Sequence, residues 1–333
     1  MRICEINDIA SVASELSASL RQRGHTVEFI QPRLVGGSLN WAVKPVVGPA
    51  RVIEWAYLIR KVKAGNFDVV HIHYAYLGML GVLGKFPFLL HCHGSDIREM
   101  TPYTRPMVGR ALAAAGHVFY ATPDLRDAVL RMRTDAEFLP NPVDTATFRP
   151  LAPASASSGV FLCSSLTDIK GAVRMLAACS ELAVSRPDIQ FTAIAGGDYT
   201  AQFAALPNVR LIPHQPRARL PHILSGHGVV LGQVFLGALG MAELEAMATA
   251  RPVVAWFRFD NAYAEPPPMV RSVDGRDLAA AIVRLVDNPA LRDDLGGRAR
   301  AWVERNHSLD AAARAVERAA AAVTSRRSLE MTA

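Results

Sequence analysis

Two stretches decide the reading: Phe67-Asp68-Val69-Val70-His71-Ile72-His73 and Phe88-Leu89-Leu90-His91-Cys92-His93-Gly94-Ser95-Asp96. Each is a short apolar run that ends in polar residues. A strand buried on both faces reads this way where its carboxyl end meets a loop. Upstream, Ile3–Asn7 and Val27–Ile30 are further strand candidates. Between them Ile9, Val12, Ala13, Leu16 and Leu20 recur at helical spacing, and Gly24 stops that helix. Val52, Trp55, Ile59 and Val62 mark another helical face. Downstream, Val118–Tyr120 and Glu137–Leu139 close the first set of strands. Strands separated by helices predict an α/β chain with a parallel sheet covered on both faces.

At Pro150 the pattern breaks. Leu151-Ala-Pro-Ala-Ser-Ala-Ser-Ser-Gly159 is small, polar and proline-containing, as a linker would be. The alternation then resumes with Val160–Cys163, Gln190–Ala195, Val209–Ile212, Val229–Leu231 and Pro252–Ala255 as strands. An alanine-rich helix near Leu309–Val323 follows, and the tail beyond Ser325 reads as frayed. A chain of 333 residues exceeds what one core usually serves. The expectation is two doubly wound, Rossmann-like domains, residues 1–150 and 151–325, with 326–333 as tail. Ligands in such sheets bind beyond the carboxyl ends of the strands, so the expected site is a cleft between the two domains.

Half of the residues are apolar and 20% are charged, which permits a sizeable core. The net charge is +6, nearly all of it arginine, since lysine occurs only at 44, 61, 63, 85 and 170. The plain reading is arginine-rich coding bias. The sharper reading is attraction to phosphate-bearing ligands or an anionic membrane surface. Four cysteines without a C-x-x-C spacing suggest reduced thiols in a cytoplasmic protein. Met1-Arg2 runs straight into a strand-like segment, so no signal peptide is expected. The most apolar stretch, Tyr74–Leu90, is interrupted by glycines, Lys85 and Pro87 and makes a poor membrane span.

Candidate chemistry lies at strand ends. Asn7-Asp8-Ile9-Ala10-Ser11 follows the first strand; it is either an anion or hydroxyl contact or an ordinary helix cap. His71 and His73 share a face of their strand, as do His91 and His93. They read as polar groups at a cleft mouth, with buried structural histidines an alternative that suits His71 and His91 best. A metal-dependent hydrolase using both H-x-H pairs is the rival reading. Gly94 would let a ligand approach the backbone. Asn141, between Pro140 and Pro142, is either a ligand contact or part of a rigid connection. In the second half, Lys170 precedes Gly171 and a helix, a position suited to a diphosphate. Gly237-Ala238-Leu239-Gly240 opens another helix and reads as an anion cradle. Glu245, inside an apolar helix, needs a partner that ribose hydroxyls could supply, whereas Glu243 reads as a solvated helix-face residue.

In this order the motifs resemble the GT-B glycosyltransferases of the retaining family-4 type. The shared segments are Arg23-Gly24-His25-Thr26-Val27, Phe67 to His73, His93-Gly94-Ser95-Asp96, Pro140-Asn141-Pro142-Val143-Asp144 with Phe148-Arg149-Pro150, Lys170-Gly171, Ala195-Gly196-Gly197-Asp198, and Glu245-Ala246-Met247-Ala248 before Arg251-Pro252-Val253-Val254. The resemblance implies a first domain for the acceptor and a second for a nucleoside-diphosphate sugar, transferred to a glycan, lipid-linked or small-molecule hydroxyl. It implies His93 and Asp96 at the reaction centre, and Lys170, Ser165, Gly237, Gly240 and Glu245 around the donor. Asn7, His73, Gly94, Ser95 and Asn141 would line the acceptor side. It implies no metal and no cofactor beyond the nucleotide sugar, no nucleic-acid partner, and a last helix that crosses back to the first domain. Peripheral contact with the inner membrane face stays open. Two departures stand out. The family usually places an Arg five residues before the lysine, where this chain has Ser165. It usually places a Glu eight residues before the helix Glu, where this chain has Gly237. A catalytically weak sugar-nucleotide-binding partner subunit is therefore a further alternative.

Overall fold

The computed structural model describes residues 1–33 and 44–332. Contacts divide the chain into two units, Met1–Pro142 with Leu309–Ala333, and Val143–Ser308. The first contains β1 (Arg2–Ile6), α1 (Val12–Gln22), β2 (Thr26–Ile30), α2 (Lys44–Ala64), β3 (Val69–His73), α3 (Met79–Gly84), β4 (Phe88–Cys92), α4 (Ser95–Arg98), α5 (Thr104–Ala114), β5 (His117–Tyr120), α6 (Arg126–Leu130) and β6 (Glu137–Phe138). The second contains β7 (Val160–Leu162), α7 (Ala172–Ser185), β8 (Phe191–Ile194), α8 (Thr200–Ala204), β9 (Val209–Ile212), α9 (Leu220–Ser225), β10 (Val229–Leu231), α10 (Met241–Ala248), β11 (Val253–Ala255), β12 (Val270–Arg271), α11 (Gly275–Val286) and α12 (Pro289–Asn306). Helix α13 (Leu309–Thr332) ends the chain and belongs to the first unit.

Both sheets have six parallel strands, ordered β2-β1-β3-β4-β5-β6 and β12-β11-β10-β7-β8-β9. These are the two common doubly wound orders. In the first unit one face packs Cys4, Ile6, Val70, Ile72, Leu90 and Cys92 under α2, α3 and α5. On the other face Ile3, Val69, Leu89 and Phe119 meet Leu16 and Leu20 of α1 and the Ala312–Val323 stripe of α13. Each fully buried aliphatic side chain contributes about 1.5–3 kcal/mol, so this second layer is a substantial part of the unit. The alanines of α13 let its backbone lie close, and at Gly116 an added Cβ would come within 2.6 Å of Val323. Arg23 reaches Glu317 and Asp310 at 2.8 and 2.6 Å, and His25 reaches Glu317 at 2.7 Å.

Three sequence boundaries move. The domain boundary lies at 142/143, not 150/151, because Phe148 is fully buried in the second unit and the Val143 N–H donates to the His307 carbonyl at 2.9 Å. Residues 151–159 are not a free linker. Arg251 donates to the Ala152 carbonyl, Arg292 donates to those of Ala154 and Ser155, and Asp293 accepts the Ser155 N–H. Helix α13 runs through Thr332, past the expected start of the tail at 326. All four cysteines are free thiols. Among the described residues no helix is long and apolar enough to cross a membrane.

Candidate functional site

In an open parallel sheet, ligands collect beyond the strand ends where the chain order reverses. That point lies between β1 and β3 in the first sheet and between β7 and β10 in the second. The motif residues flank both points.

At the first point Asn7 leaves β1 with φ 72. Its amide donates to the His73 carbonyl at 3.0 Å, and Gln31 donates to its Oδ1 at 3.1 Å. Asp8 accepts the Ala13 N–H at 3.0 Å, so the loop caps α1 with its own carboxylate. Ala10 and Ser11 sit at φ 51 and 66. Left-handed backbone costs such residues about 1–2 kcal/mol each.

Parallel register places Glu5 opposite His71 and His73 opposite His91. Glu5, His71, His73 and His91 are fully buried and His93 is 8% exposed. One Glu5 oxygen lies 3.0 Å from His71 Nδ1 and 2.8 Å from His73 Nε2, and His73 Nδ1 lies 2.9 Å from His93 Nε2. His93 also hydrogen-bonds the Asn141 side chain. Burial alone would raise the Glu5 pKa, but His71 and His73 hold it down to about 2. Burial lowers the pKa of His73, and drives those of His91 and His93 well below the ordinary value, helped by the neighbouring rings. The cluster thus holds an ionised carboxylate and at least three neutral imidazoles at neutral pH. His71, His73 and His91 bring one nitrogen each within 4.8 Å of one another. A hydrolytic metal, however, needs an open position that substrate can reach, and these three rings are sealed. Both nitrogens of His73 are also already bonded. The geometry does not fit the hydrolase reading.

The turn after β4 is braced by Asp96. Its carboxylate accepts N–H groups from Ala75 at 2.8 Å, His93 at 3.1 Å and Gly94 at 2.6 Å. Burial raises its pKa against these donors. Asp96 therefore shapes the loop that carries His93. Gly94 has φ 153, and a Cβ there would meet Arg98 Nη2 at 2.3 Å. Arg98 crosses at that point to pair with Asp124. Ser95 is exposed and bonds Tyr74 Oη at 3.2 Å. Beside this turn lies a cavity of about 850 Å³. Trp55, Ile59, Tyr76, Met100 and Val108 line its body, while Asn7, Tyr74, Ser95 and Asp96 form its polar side.

At the second point Ser165 is exposed and 3.4 Å from Thr167 Oγ1. Lys170 is half-buried and has no ion-pair partner among the described residues. Its carbonyl accepts the Val234 N–H at 3.0 Å, and the left-handed Gly171 (φ 83) then starts α7. The loop after β10 is organised by two side chains. Gln233 accepts the N–H groups of Phe235 and Leu236 and donates to the carbonyls of Ala238 and Trp256. Glu243 accepts the N–H groups of Gln233 at 2.8 Å and Gly240 at 2.9 Å, and the Ser164 hydroxyl at 2.9 Å. Glu243 is 1% exposed, which corrects its reading as a solvated residue: backbone donors, not water, hold its charge. Glu245 is 5% exposed and pairs with Arg217 at 2.6 Å, and that guanidinium stacks 4.7 Å over Phe148. Burial pushes the Cys163 thiol well up; Glu243 and Glu245 add to this and Lys170 opposes it, so all three charges lie around that sulfur. Gly237 has φ 74, and a Cβ there would approach Arg258 Cγ to 2.8 Å. Gly240 caps α10.

The structure brings Asn7, His73, His93, Gly94, Ser95, Asp96 and Asn141 together in the first unit, and Ser165, Lys170, Gly237, Gly240 and Glu245 around the second switch point. Sequence reasoning missed Glu5, Tyr74, the bracing role of Glu243 and the pairing of Arg217 with Glu245. Glu5 had a signal: an acid inside the apolar run Ile3–Ile6, on the same alternation as the H-x-H pairs. Tyr74 had none, since its φ of 95 is visible only in the backbone.

Residues 9–147 match the family described as Glycosyltransferase Family 4. A GDP-mannose-dependent monoacylated alpha-(1-6)-phosphatidylinositol monomannoside mannosyltransferase of Corynebacterium glutamicum is 26% identical over 199 residues, and the match covers 52% of each chain. The chain thus spans about half the length of that relative. Among solved structures, sucrose-phosphate synthase from Thermosynechococcus elongatus superposes with a TM-score of 0.74 at 16% identity over 100% of both chains. HepE of Anabaena, solved with UDP-glucose, gives 0.72 at 12% identity over 96% of this chain and 98% of its own. The catalytic domain of starch synthase IV from Arabidopsis thaliana, bound to ADP and acarbose, gives 0.69 at 11% identity over 97% and 99%.

Proposed function

We propose that this chain, a GT-B fold whose first half carries the family-4 glycosyltransferase signature, transfers a hexose-type sugar from a nucleoside diphosphate to an acceptor hydroxyl with retention of configuration. The observation that carries this reading is the second switch point. Lys170, a cation without an ion-pair partner among the described residues, stands between two braced loops, beside a buried Glu245. A diphosphate suits the lysine as a point charge, and ribose hydroxyls suit the carboxylate. Arg217, held by Glu245 and Phe148, supplies the guanidinium that Ser165 does not. Phosphate oxygens leave as an anion stabilised by these fixed charges, with no cofactor required. Retention follows if the acceptor enters on the face the diphosphate leaves, a departing oxygen taking its proton.

The cavity beside the His93 turn supports an amphiphilic acceptor, with a hydroxylated head near Asn7 and Ser95 and an apolar body along Trp55 and Ile59. A lipid-linked acceptor fits this chemistry, as does work at the cytoplasmic membrane surface.

The test is a thermal-shift screen of nucleoside diphosphates and their sugars, followed by NMR of the anomeric proton in the product. A shift with one nucleotide, reduced in Lys170→Ala and Glu245→Ala, and an axial product from an axial donor support the reading. No shift with any nucleotide would overturn it. Gly237 favours a second reading: its left-handed backbone and crowded Cβ position replace the family's Glu contact to the sugar. A partner subunit that binds donor without transfer would show the shift and no product.

A further inference from the structure

The polar cluster behind the first switch point has a direction. Its three links are Glu5, His73 and His93, each within hydrogen-bond distance of the next, at 2.8 and then 2.9 Å. An ionised carboxylate can only accept. The proton between Glu5 and His73 therefore sits on His73 Nε2. A neutral His73 then has a bare Nδ1, which can only accept from His93 Nε2. That proton leaves His93 Nδ1 as a lone pair. The order of donors thus runs from strand β1 outward, over three strands whose register brings these side chains within reach.

We infer that Glu5 is a positioning residue: acting through His73, it holds His93 in the Nε2–H tautomer, so that His93 offers a hydroxyl-bearing ligand an acceptor at Nδ1 and not an N–H. This rests on the proposed transferase reading only for the identity of the ligand. The tautomer itself is a property of the free protein. Glu5 is fully buried, so no solvent competes for its lone pairs. Its neighbour His71 faces both oxygens, at 3.2 and 3.0 Å, which keeps the carboxylate from turning away from His73. Asn141 stands at the outer end of the chain, on His93. With Nε2 engaged by His73, that bond falls on Nδ1, so a ligand hydroxyl takes this acceptor by displacing the Asn141 N–H.

The assignment is tested by long-range proton–nitrogen correlation spectra of histidine-labelled full-length protein at neutral pH, without ligand. His73 and His93 should each show a protonated Nε2 and a bare Nδ1. An Nδ1–H tautomer or a doubly protonated ring at either position overturns the inference, whether or not the protein transfers sugar. Glu5→Gln tests the cause. Its amide must turn NH₂ toward His71 or His73, so a second tautomer should appear at His71, or at His73 and with it His93; an unchanged spectrum at all three rings overturns the role of Glu5. If transfer is established, the same variant should lower kcat about tenfold while the donor KM changes less than twofold. An unchanged kcat would likewise count against positioning. Should Glu5→Gln fail to fold, the wild-type spectrum still decides the direction of the chain.

Discussion

The two sheets solve the same problem differently. Each carries a turn braced by one buried carboxylate: Asp96 gathers N–H groups from Ala75, His93 and Gly94, and Glu243 gathers those of Gln233 and Gly240 with the Ser164 hydroxyl. In the first unit the functional side chains are then tied to one another, down to Glu5 at the sheet's centre. In the second, Lys170 is left without an ion-pair partner among the described residues. A site that consumes its own polar groups is rigid before ligand arrives. A site that keeps a cation in reserve offers binding energy to an anion. The comparison separates residues whose loss should unfold from residues whose loss should unbind.

The largest effect expected is on the braces. Asp96→Ala and Glu243→Ala each strand two or three buried donors, so each should lower stability by about 3 kcal/mol, or a fall in Tm of roughly 6–12 °C. Denaturant melts measure this. A loss below about 1 kcal/mol in either variant would mean that water reaches the turn and that the parallel between the loops fails.

Acid should separate the units next. Burial lowers the pKa of His73, His91 and His93, so the unfolded chain binds protons there that the native state refuses. The stability they contribute is complete above the ordinary histidine pKa near 6.5 and is lost as pH falls below it. Glu5, held at about 2, continues the loss as pH falls below the usual carboxylate range near 4.5. In the second unit burial lowers the pKa of His227, which stands apart from any such cluster. Hydrogen exchange at pH 7.5 and 5.5, corrected for intrinsic rates, should therefore show the first unit losing more protection. Equal losses would mean that the cluster is not held neutral.

These contrasts show what the sequence could carry. Strand ends and their alternation were legible, and with them the double βα architecture and most of the residues at both switch points. Glu5 stood out as an acid in an apolar run, but its partners did not, because they come from β3, and only the register of β1 on β3 puts it opposite His71. Glu243 and Glu245 differ by two places on one short helix, and nothing in spacing says which one turns into the loop and which meets Arg217. The boundary at 142/143 hinged on Phe148, a single aromatic whose burial depends on elements far along the chain. Local pattern reports faces; it does not report which distant side chain completes them.

Lys170→Ala is the complementary break. It should leave stability within about 0.5 kcal/mol of wild type, since surface changes without a partner are nearly neutral. It should weaken the nucleoside diphosphate ten- to a hundredfold, or about 1.4–2.7 kcal/mol by calorimetric titration. A destabilised variant would show that the lysine serves the fold, and the distinction between a self-satisfied site and a reserved one would lose its best case.

The smallest effect concerns backbone. The second unit puts glycine at the left-handed positions Gly171, Gly197 and Gly237, with Ala250 (φ 55) after α10 its non-glycine exception, whereas the first loop of the first unit puts Asn7, Ala10 and Ser11 there. The strain at Ser11 is not offset by capping, because its side chain makes no cap hydrogen bond and Asp8 performs that task. Ser11→Gly removes a Cβ from an unfavourable φ and adds freedom to the unfolded chain, so the two terms oppose. The left-handed penalty is the larger, and a gain of about 0.5 kcal/mol is expected in denaturant melts. A loss would show that Ser11 is held by contacts worth more than its strain, and the first loop would then be fixed by its own interactions in the same way as the histidine cluster behind it.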